Sequence, residues 1–285
     1  MVSVTIIGLG RVGGGLALAL PKTKYRIDHL ISRASDDDRD TEAGNQSECI
    51  NSDVVFITTQ DGNIQGVSRS LVDRLKKGTF VFHTSGALSS SILQVLADRG
   101  CHVGSIHPLV SISSPQLGPE RFAGAYFCIE GSPTATVLAH KIVTDLGGRP
   151  FEVPTRFKTL YHAAAVMACG HLVALFDSAV EVLTKCGLEP DMSKEILIPL
   201  VASTVDNLKQ QSTSSALTGT FGRADIETFT RHLTSLNENV DDDLLEIYLL
   251  LGERSLELAA REGVNPERID SMRAKMSVAK SRLKW

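Results

Sequence analysis

The sequence has no surplus of positive charge: 29 Lys and Arg stand against 33 Asp and Glu, for a formal net charge of −4 at pH 7. No broad basic field is available to hold nucleic acid or an anionic membrane, so soluble small-molecule chemistry is the default expectation. Paired cysteines are missing as well. The five present, Cys49, Cys101, Cys128, Cys169 and Cys186, are scattered and form no C-x-x-C pair that could serve zinc or a redox dithiol, which fits a reducing compartment. No basic segment, apolar stretch and small-residue cleavage site open the chain. The apolar run Leu16 to Leu20 is far too short to cross a bilayer. A cytoplasmic protein with neither a membrane nor a nucleic-acid partner is therefore expected. Internal repeats and low-complexity linkers are also lacking, and 285 residues suffice to bury two cores of moderate size.

What is there divides at Pro154. Before it, seven β-rich runs alternate with helical patterns: Val2 to Ile7, Arg26 to Ile31, Asp53 to Thr58, Thr79 to Thr84, His102 to Ile106, Ala125 to Glu130 and Pro150 to Val153. Ile64, Val67, Leu71 and Leu75 recur at helical spacing, as do Val137, Leu138, Ile142 and Leu146. This alternation predicts an α/β domain over residues 1–154, a doubly wound parallel sheet covered by helices. After Pro154 the β-branched alternation fades, and helices are expected over 156–186, 193–211, 225–236, 243–262 and 266–284. Gly187 and Gly263 read as helix stops, and Asn265-Pro266 as an N-cap and first helical residue. The second domain, 155–285, is thus expected to be all-α. The short join predicts close packing of the two domains and a cleft at the carboxyl edge of the sheet.

The first strand runs into Gly8-Leu9-Gly10-Arg11-Val12-Gly13 and then a helical stretch. In that order Gly8 allows a tight turn, Gly10 lets the backbone approach a phosphate, and Gly13 lets the helix pack on the strand. The helix N-terminus adds free amides and partial positive charge, so these six residues are expected to hold a dinucleotide. The second strand ends Ile31-Ser32-Arg33 rather than in a carboxylate, which favours the 2′-phosphate of NADP over NAD. Asp36, Asp37 and Asp38 follow closely and argue the other way if their loop folds back. Asp28, inside the strand, is poorly placed for a ribose. Thr59 and Gln60 after the third strand, and Thr84, Ser85 and Gly86 after the fourth, are expected to border the nicotinamide half, although their hydroxyls suit helix capping equally.

Four ordered segments, HTSGALSSSIL from His83, GSIHPLVSIS from Gly104, LYHAAAVMACG from Leu160 and ALTGTFGRAD from Ala216, resemble the Rossmann-like proteins that carry a C-terminal domain of unknown function 2520. The resemblance spans nearly the whole chain. It implies an NADP-type Rossmann domain akin to those of pyrroline-carboxylate reductases, a helical domain like that of 6-phosphogluconate dehydrogenase, and homodimerisation through the latter. The chain departs from the family pattern at three places: Gly170 stands where the family has asparagine, Thr220 follows Leu217-Thr218-Gly219 in place of proline, and Ala224 replaces glycine between Arg223 and Asp225.

Hydride chemistry at a carbinol or amine carbon needs a group that handles the proton on the heteroatom, and histidine suits neutral pH. His107 follows a strand at the sheet's carboxyl edge, where it acts either in proton transfer or in holding a turn. His162 lies in the family segment and is the first catalytic candidate. His171 is nine residues further on and points away from His162 unless the helix breaks, for which Gly170 offers a place. His162 and His171 also resemble the spaced histidines of prephenate and arogenate dehydrogenases. Asn207, Thr218 and Arg223 are the substrate candidates. Arg223 either clamps a carboxylate or pins its loop to Asp225, which reads as a helix N-cap. No G-x-S-x-G elbow supports a serine nucleophile, and His83, His102 and His107 lack the carboxylate spacing of a metal site. The expected function is an NADP-dependent oxidoreductase acting on a small polar substrate between the domains. The rivals are a catalytically silent NADP-binding protein and a prephenate/arogenate-type dehydrogenase.

Overall fold

A computed structural model describes residues 1–32 and 49–281. It divides into two compact units, Met1–His171 and Leu172–Trp285. The division falls after the helix that opens at Lys158, later than Pro154, because that helix's first turns are bonded to the sheet.

In the first unit the chain runs β1 (Val2–Ile7), α1 (Arg11–Ala19), β2 (Tyr25–Ile31), β3 (Val54–Ile57), α2 (Asp61–Ser70), β4 (Phe80–His83), α3 (Gln94–Ala97) and β5 (His102–Pro108). It continues through α4 (Gly118–Phe122), β6 (Tyr126–Gly131), α5 (Pro133–Asp145), β7 (Arg149–Glu152) and α6 (Lys158–Ala168). One sheet results, in the order β2-β1-β3-β4-β5-β6-β7. All neighbours are parallel except β5 and β6, which pair antiparallel with His107 opposite Cys128. The sheet is parallel-dominated, as expected, with this one antiparallel pair. The segment from Leu109 to Ala125 packs its α4 against α1 instead of crossing the sheet, so β6 starts at the end where β5 stops.

β3 is apolar at every position, and β1 and β4 at most of theirs, because both faces are covered. Val4, Ile6, Phe56, Phe82 and Phe127 enter one buried cluster, while Ile7, Val55, Ile57, Val81 and Val103 enter another on the opposite face. Successive side chains of a strand point to opposite faces, so each strand feeds both cores. At the β2 end, Lys24 and Tyr25 donate to Asp145 of α5 at 2.6 and 2.8 Å. Burial alone would raise the Asp145 carboxyl, but these two bonds outweigh it and hold it below the ordinary range.

The second unit contains α7 (Gly170–Lys185, whose first two residues belong to the first unit), α8 (Pro190–Gln210), α9 (Gly219–Gly222), α10 (Ile226–Asn239), α11 (Asp242–Arg261) and α12 (Pro266–Lys280). Leu245, Leu249, Leu256 and Ala259 of α11 recur at helical spacing and are buried with Phe229, Ile269 and Met272. Asp225 accepts from the Thr228 amide at 3.1 Å and caps α10, and Asn265 accepts from the Glu267 amide and caps α12. Ala224 sits at φ 45°, in the left-handed region that favours glycine. Its methyl group is fully buried in the helical core, and that packing offsets the backbone strain.

The expected helix over 156–186 is interrupted. It breaks at Cys169 (φ −119°, ψ −71°), giving α6 and α7. A β-carbon at Gly170 would meet only Val166 at 3.8 Å, so nothing in the packing demands glycine there.

Candidate functional site

In a sheet ordered 2-1-3-4-5 the strand sequence reverses between β1 and β3, and ligands collect outside the carboxyl ends of the strands at that point. The glycine turn lies there. Gly8 has φ 102°, and Thr58, following β3, donates through Oγ1 to the carbonyls of Ile7 at 3.1 Å and Gly8 at 2.5 Å. A β-carbon at Gly13 would collide with the Gly8 carbonyl oxygen and with Thr58 Oγ1. Turn, helix and β3 are therefore locked together. Gly10, at the N-cap position of α1, has no atom within 4 Å of where its β-carbon would be. No side chain caps α1, and its first turn holds no acidic residue. Leu9, Gly10 and Arg11 are exposed and Val12 is half-buried. This open cradle of free amides at a helix N-terminus fits a diphosphate.

The other expected cofactor residues take several parts. Thr59 Oγ1 is buried without a partner, an orphan that fits a polar ligand atom at the switch point. Gln60 is at the N-cap position of α2 but makes no capping bond. Thr84 donates its amide to the Ile57 carbonyl at 3.3 Å. The Ser85 hydroxyl is structural: it donates to Asp61 at 2.9 Å and accepts from the amides of Ala87 and Leu88. Ser32 follows β2 and is exposed. Arg33 and Asp36 to Asp38 lie outside the described residues. Asp28 is occupied by Arg26 at 2.7 Å and Ser52 at 3.1 Å.

Gly86 is buried where two of the three catalytic candidates meet. A β-carbon there would fall on His162 Nδ1 and 2.8 Å from His107 Nε2. The two rings are edge-on with centroids 5.7 Å apart. His107 Nδ1 shares a 2.8 Å hydrogen bond with the Tyr161 hydroxyl, whereas His162 Nδ1 is buried without a partner. Burial, followed by the charge of Lys158 and the neighbouring His162 and His83, pushes His107 down to about 3. Burial raises the Tyr161 phenol, so it stays protonated. An uncharged imidazole beside a protonated phenol can give or take one proton, which is the chemistry of a general acid–base pair.

His171 opens α7, is exposed, and among the described residues makes no ring contact or hydrogen bond with the pair. The helix break at Cys169 is present, but it does not bring His171 to His107. Asn207 is half-buried on α8, Thr218 is exposed at the N-cap position of α9, and Arg223 is exposed, its charge helping to lower the Asp225 carboxyl after the two bonds from Thr228. All three belong to the second unit. Sequence reasoning missed Tyr161, although it lies in the LYHAAAV segment, and Lys158. A lysine opening an apolar helix looks like a solvated end, and only its place above β5 and β6 marks it otherwise.

The sheet order, the glycine turn and the edge residues define a Rossmann-like protein with a helical C-terminal domain. The models of two families match, the Rossmann-like domain over residues 1–108 and domain of unknown function 2520 over 125–255. The chain thus carries a Rossmann-like domain followed by domain 2520, two matches that together span most of its length. Among solved structures, protein TM1727 from Thermotoga maritima is 26% identical with a TM-score of 0.72, over 91% of this chain and 99% of that one. A candidate NADP oxidoreductase from Bacteroides fragilis, BF3122, is 22% identical with a TM-score of 0.71, over 90% and 98% of the two chains. A reductive aminase from Aspergillus terreus, solved with NADPH and ethyl-5-oxohexanoate, shares the fold at 15% identity and a TM-score of 0.56, over 99% and 94%. A search of curated proteins finds no match.

Proposed function

We propose that this protein is a soluble, cytoplasmic, NADP-dependent oxidoreductase that moves hydride to or from a small polar carbonyl, imine, hydroxy acid or amine at the carboxyl edge of the sheet. The observation that carries the reading is a juxtaposition. On one sheet edge, the uncapped N-terminus of α1 lies beyond β1, and the His107–Tyr161 pair with the unpartnered His162 Nδ1 lies over Gly86 beyond β4. The bound nucleotide supplies or accepts hydride, while His107 and His162 hold or move the proton at the substrate heteroatom. The likeness to structures holding NADPH, together with Ser32-Arg33 after β2, supports NADP over NAD.

Calorimetry with NADPH and NADH tests this reading together with absorbance at 340 nm on a panel of carbonyls and imines. NADPH is expected to bind at least tenfold more tightly than NADH, and Arg33→Ala to remove most of that preference. Absence of heat from both coenzymes overturns the reading. Heat without turnover across the panel favours the silent binder.

We further propose that the protein is a homodimer through its helical domain. On α8 only Ser193 is buried, while Ile196, Ile198 and Leu200 are about half to two-thirds exposed (48%, 50% and 62%), and α7 exposes Val173 at 67%. An apolar groove of about 530 Å³ runs beside them, lined by Leu183, Leu197, Phe221, Tyr248 and Leu251. Apolar surface on this scale suits a protein partner. By length and composition, Thr155–Lys185 is also apolar enough to cross a membrane. However, Lys158 and Tyr161 at its start are bonded to the sheet, which leaves that end no lipid-facing role. Sedimentation should give twice 30.7 kDa at micromolar concentration, and a monomer there would refute the dimer.

A further inference from the structure

Lys158 is only 1% exposed, and lysines are almost never fully buried unless paired. No carboxylate pairs with it among the described residues. Its Nζ donates to Ser105 Oγ of β5 at 2.9 Å and to Cys128 Sγ of β6 at 3.7 Å, and it lies 5.7 Å from the centre of the Tyr161 ring. The nearby buried acid, Glu130, is engaged elsewhere: it accepts from the Ser90 amide at 2.6 Å, the Ser90 hydroxyl at 2.8 Å and Thr155 at 3.2 Å. Burial raises the Cys128 thiol, so no thiolate neutralises the ammonium, and the same burial pulls Lys158 below the ordinary lysine range. A methionine would fill the same space without desolvating a charge, so packing does not explain the residue.

We propose that Lys158 is a positioning residue for the histidine pair. Moored to two strands, its ammonium anchors the first turn of α6 so that Tyr161 meets His107, and it sets a positive charge beside the His107 imidazole. The geometry runs without a gap from Ser105 and Cys128 to Lys158, on to Tyr161 one turn along the helix, and from Tyr161 to His107 at 2.8 Å. His107 is faced by Tyr161 and His162 of α6, by Cys128 across the β5–β6 pair, by His83 of β4 and by Lys158 itself. Lys158 is the one cation among these groups, and its charge adds to burial in lowering both His107 and His83. Held uncharged, His107 presents one donor and one acceptor nitrogen at neutral pH instead of two donors.

This inference deepens the proposed acid–base role, but it is tested on the protein alone, without nucleotide or substrate. Histidines labelled with ¹³C and ¹⁵N are titrated by NMR in the full-length protein. Lys158→Gln keeps a donor for Ser105 and removes the charge, and Lys158→Met removes both. In each, the His107 midpoint should rise by about one pH unit or more, the size expected when a neighbouring charge is lost in a partly buried site. Lys158→Arg should keep it low, and His140, on the surface with Glu152, should not move in any variant. A His107 midpoint within a few tenths of wild type in folded Lys158→Gln overturns the proposal. Should neither neutral variant fold, the ¹⁵N shift of Lys158 Nζ in the wild type decides: an ammonium at about pH 7 upholds the charge beside His107, and a neutral amine there refutes the proposal. A lack of coenzyme binding would sink the oxidoreductase reading and leave this result intact.

Discussion

Gly13→Ala is expected to abolish measurable NADPH binding and to lower the melting temperature. The new methyl group would land on the Gly8 carbonyl oxygen and Thr58 Oγ1, two atoms bonded to each other, so neither can yield without opening the turn. Overpacking a close-fitted site costs about 1–3 kcal/mol. For a protein of this size, each kcal/mol lowers the melting temperature by roughly 2–4 °C. Binding should suffer more than stability, because the amides that face the diphosphate sit on the displaced turn. Each charge-assisted bond contributes about 1.5–3 kcal/mol, so losing two of them weakens binding roughly 100-fold or more. Gly10→Ala is the companion measurement. Its β-carbon meets nothing, so the melting temperature should hold while NADPH affinity falls, the methyl group occupying the space assigned to phosphate. Calorimetry and thermal unfolding on both variants decide the matter, and undiminished NADPH heat in Gly13→Ala would remove the turn from the nucleotide site.

Gly86→Ala should lower turnover by about 100-fold and leave NADPH affinity within about threefold, since misplacing reacting groups by about 1 Å is enough for such a loss. A methyl group there would overlap His162 Nδ1 and crowd His107 Nε2, forcing both rings away from the position Tyr161 holds. General acid–base groups contribute roughly 10²- to 10⁴-fold, so displaced rings lose most of that. The measurement is kcat at 340 nm on the substrate that the panel identifies, with the NADPH dissociation constant taken in parallel. Turnover equal to wild type would free His107 and His162 from any part in the proton step.

How much of this was legible can be argued from particular residues. The glycine turn was legible because its chemistry is local: a strand, a tight bend and a helix start are consecutive in the chain, and the spacing of Gly8, Gly10 and Gly13 follows from that geometry alone. The central strands β1, β3 and β4 were legible as mostly apolar runs, since a sheet covered on both faces leaves little polar alternation to obscure them. The antiparallel pairing of β6 was not. It depends on the Leu109 to Ala125 segment packing on α1, a contact between parts of the chain far apart in sequence.

The site divides the same way. His107 and His162 could each be proposed from sequence, but 55 residues separate them, and only the stacking of α6 on β5 brings both rings over Gly86. His171 was equally eligible by residue type, and the break at Cys169 leaves it exposed. The amino-acid sequence by itself determined the strands, the helices and the phosphate-sized bend, because hydrophobic period and glycine sterics act over a few neighbouring residues. The tertiary structure alone decided which imidazoles meet and that Lys158 is buried beside Tyr161 with its charge acting on His107, because burial and charge proximity are properties of distant segments brought together.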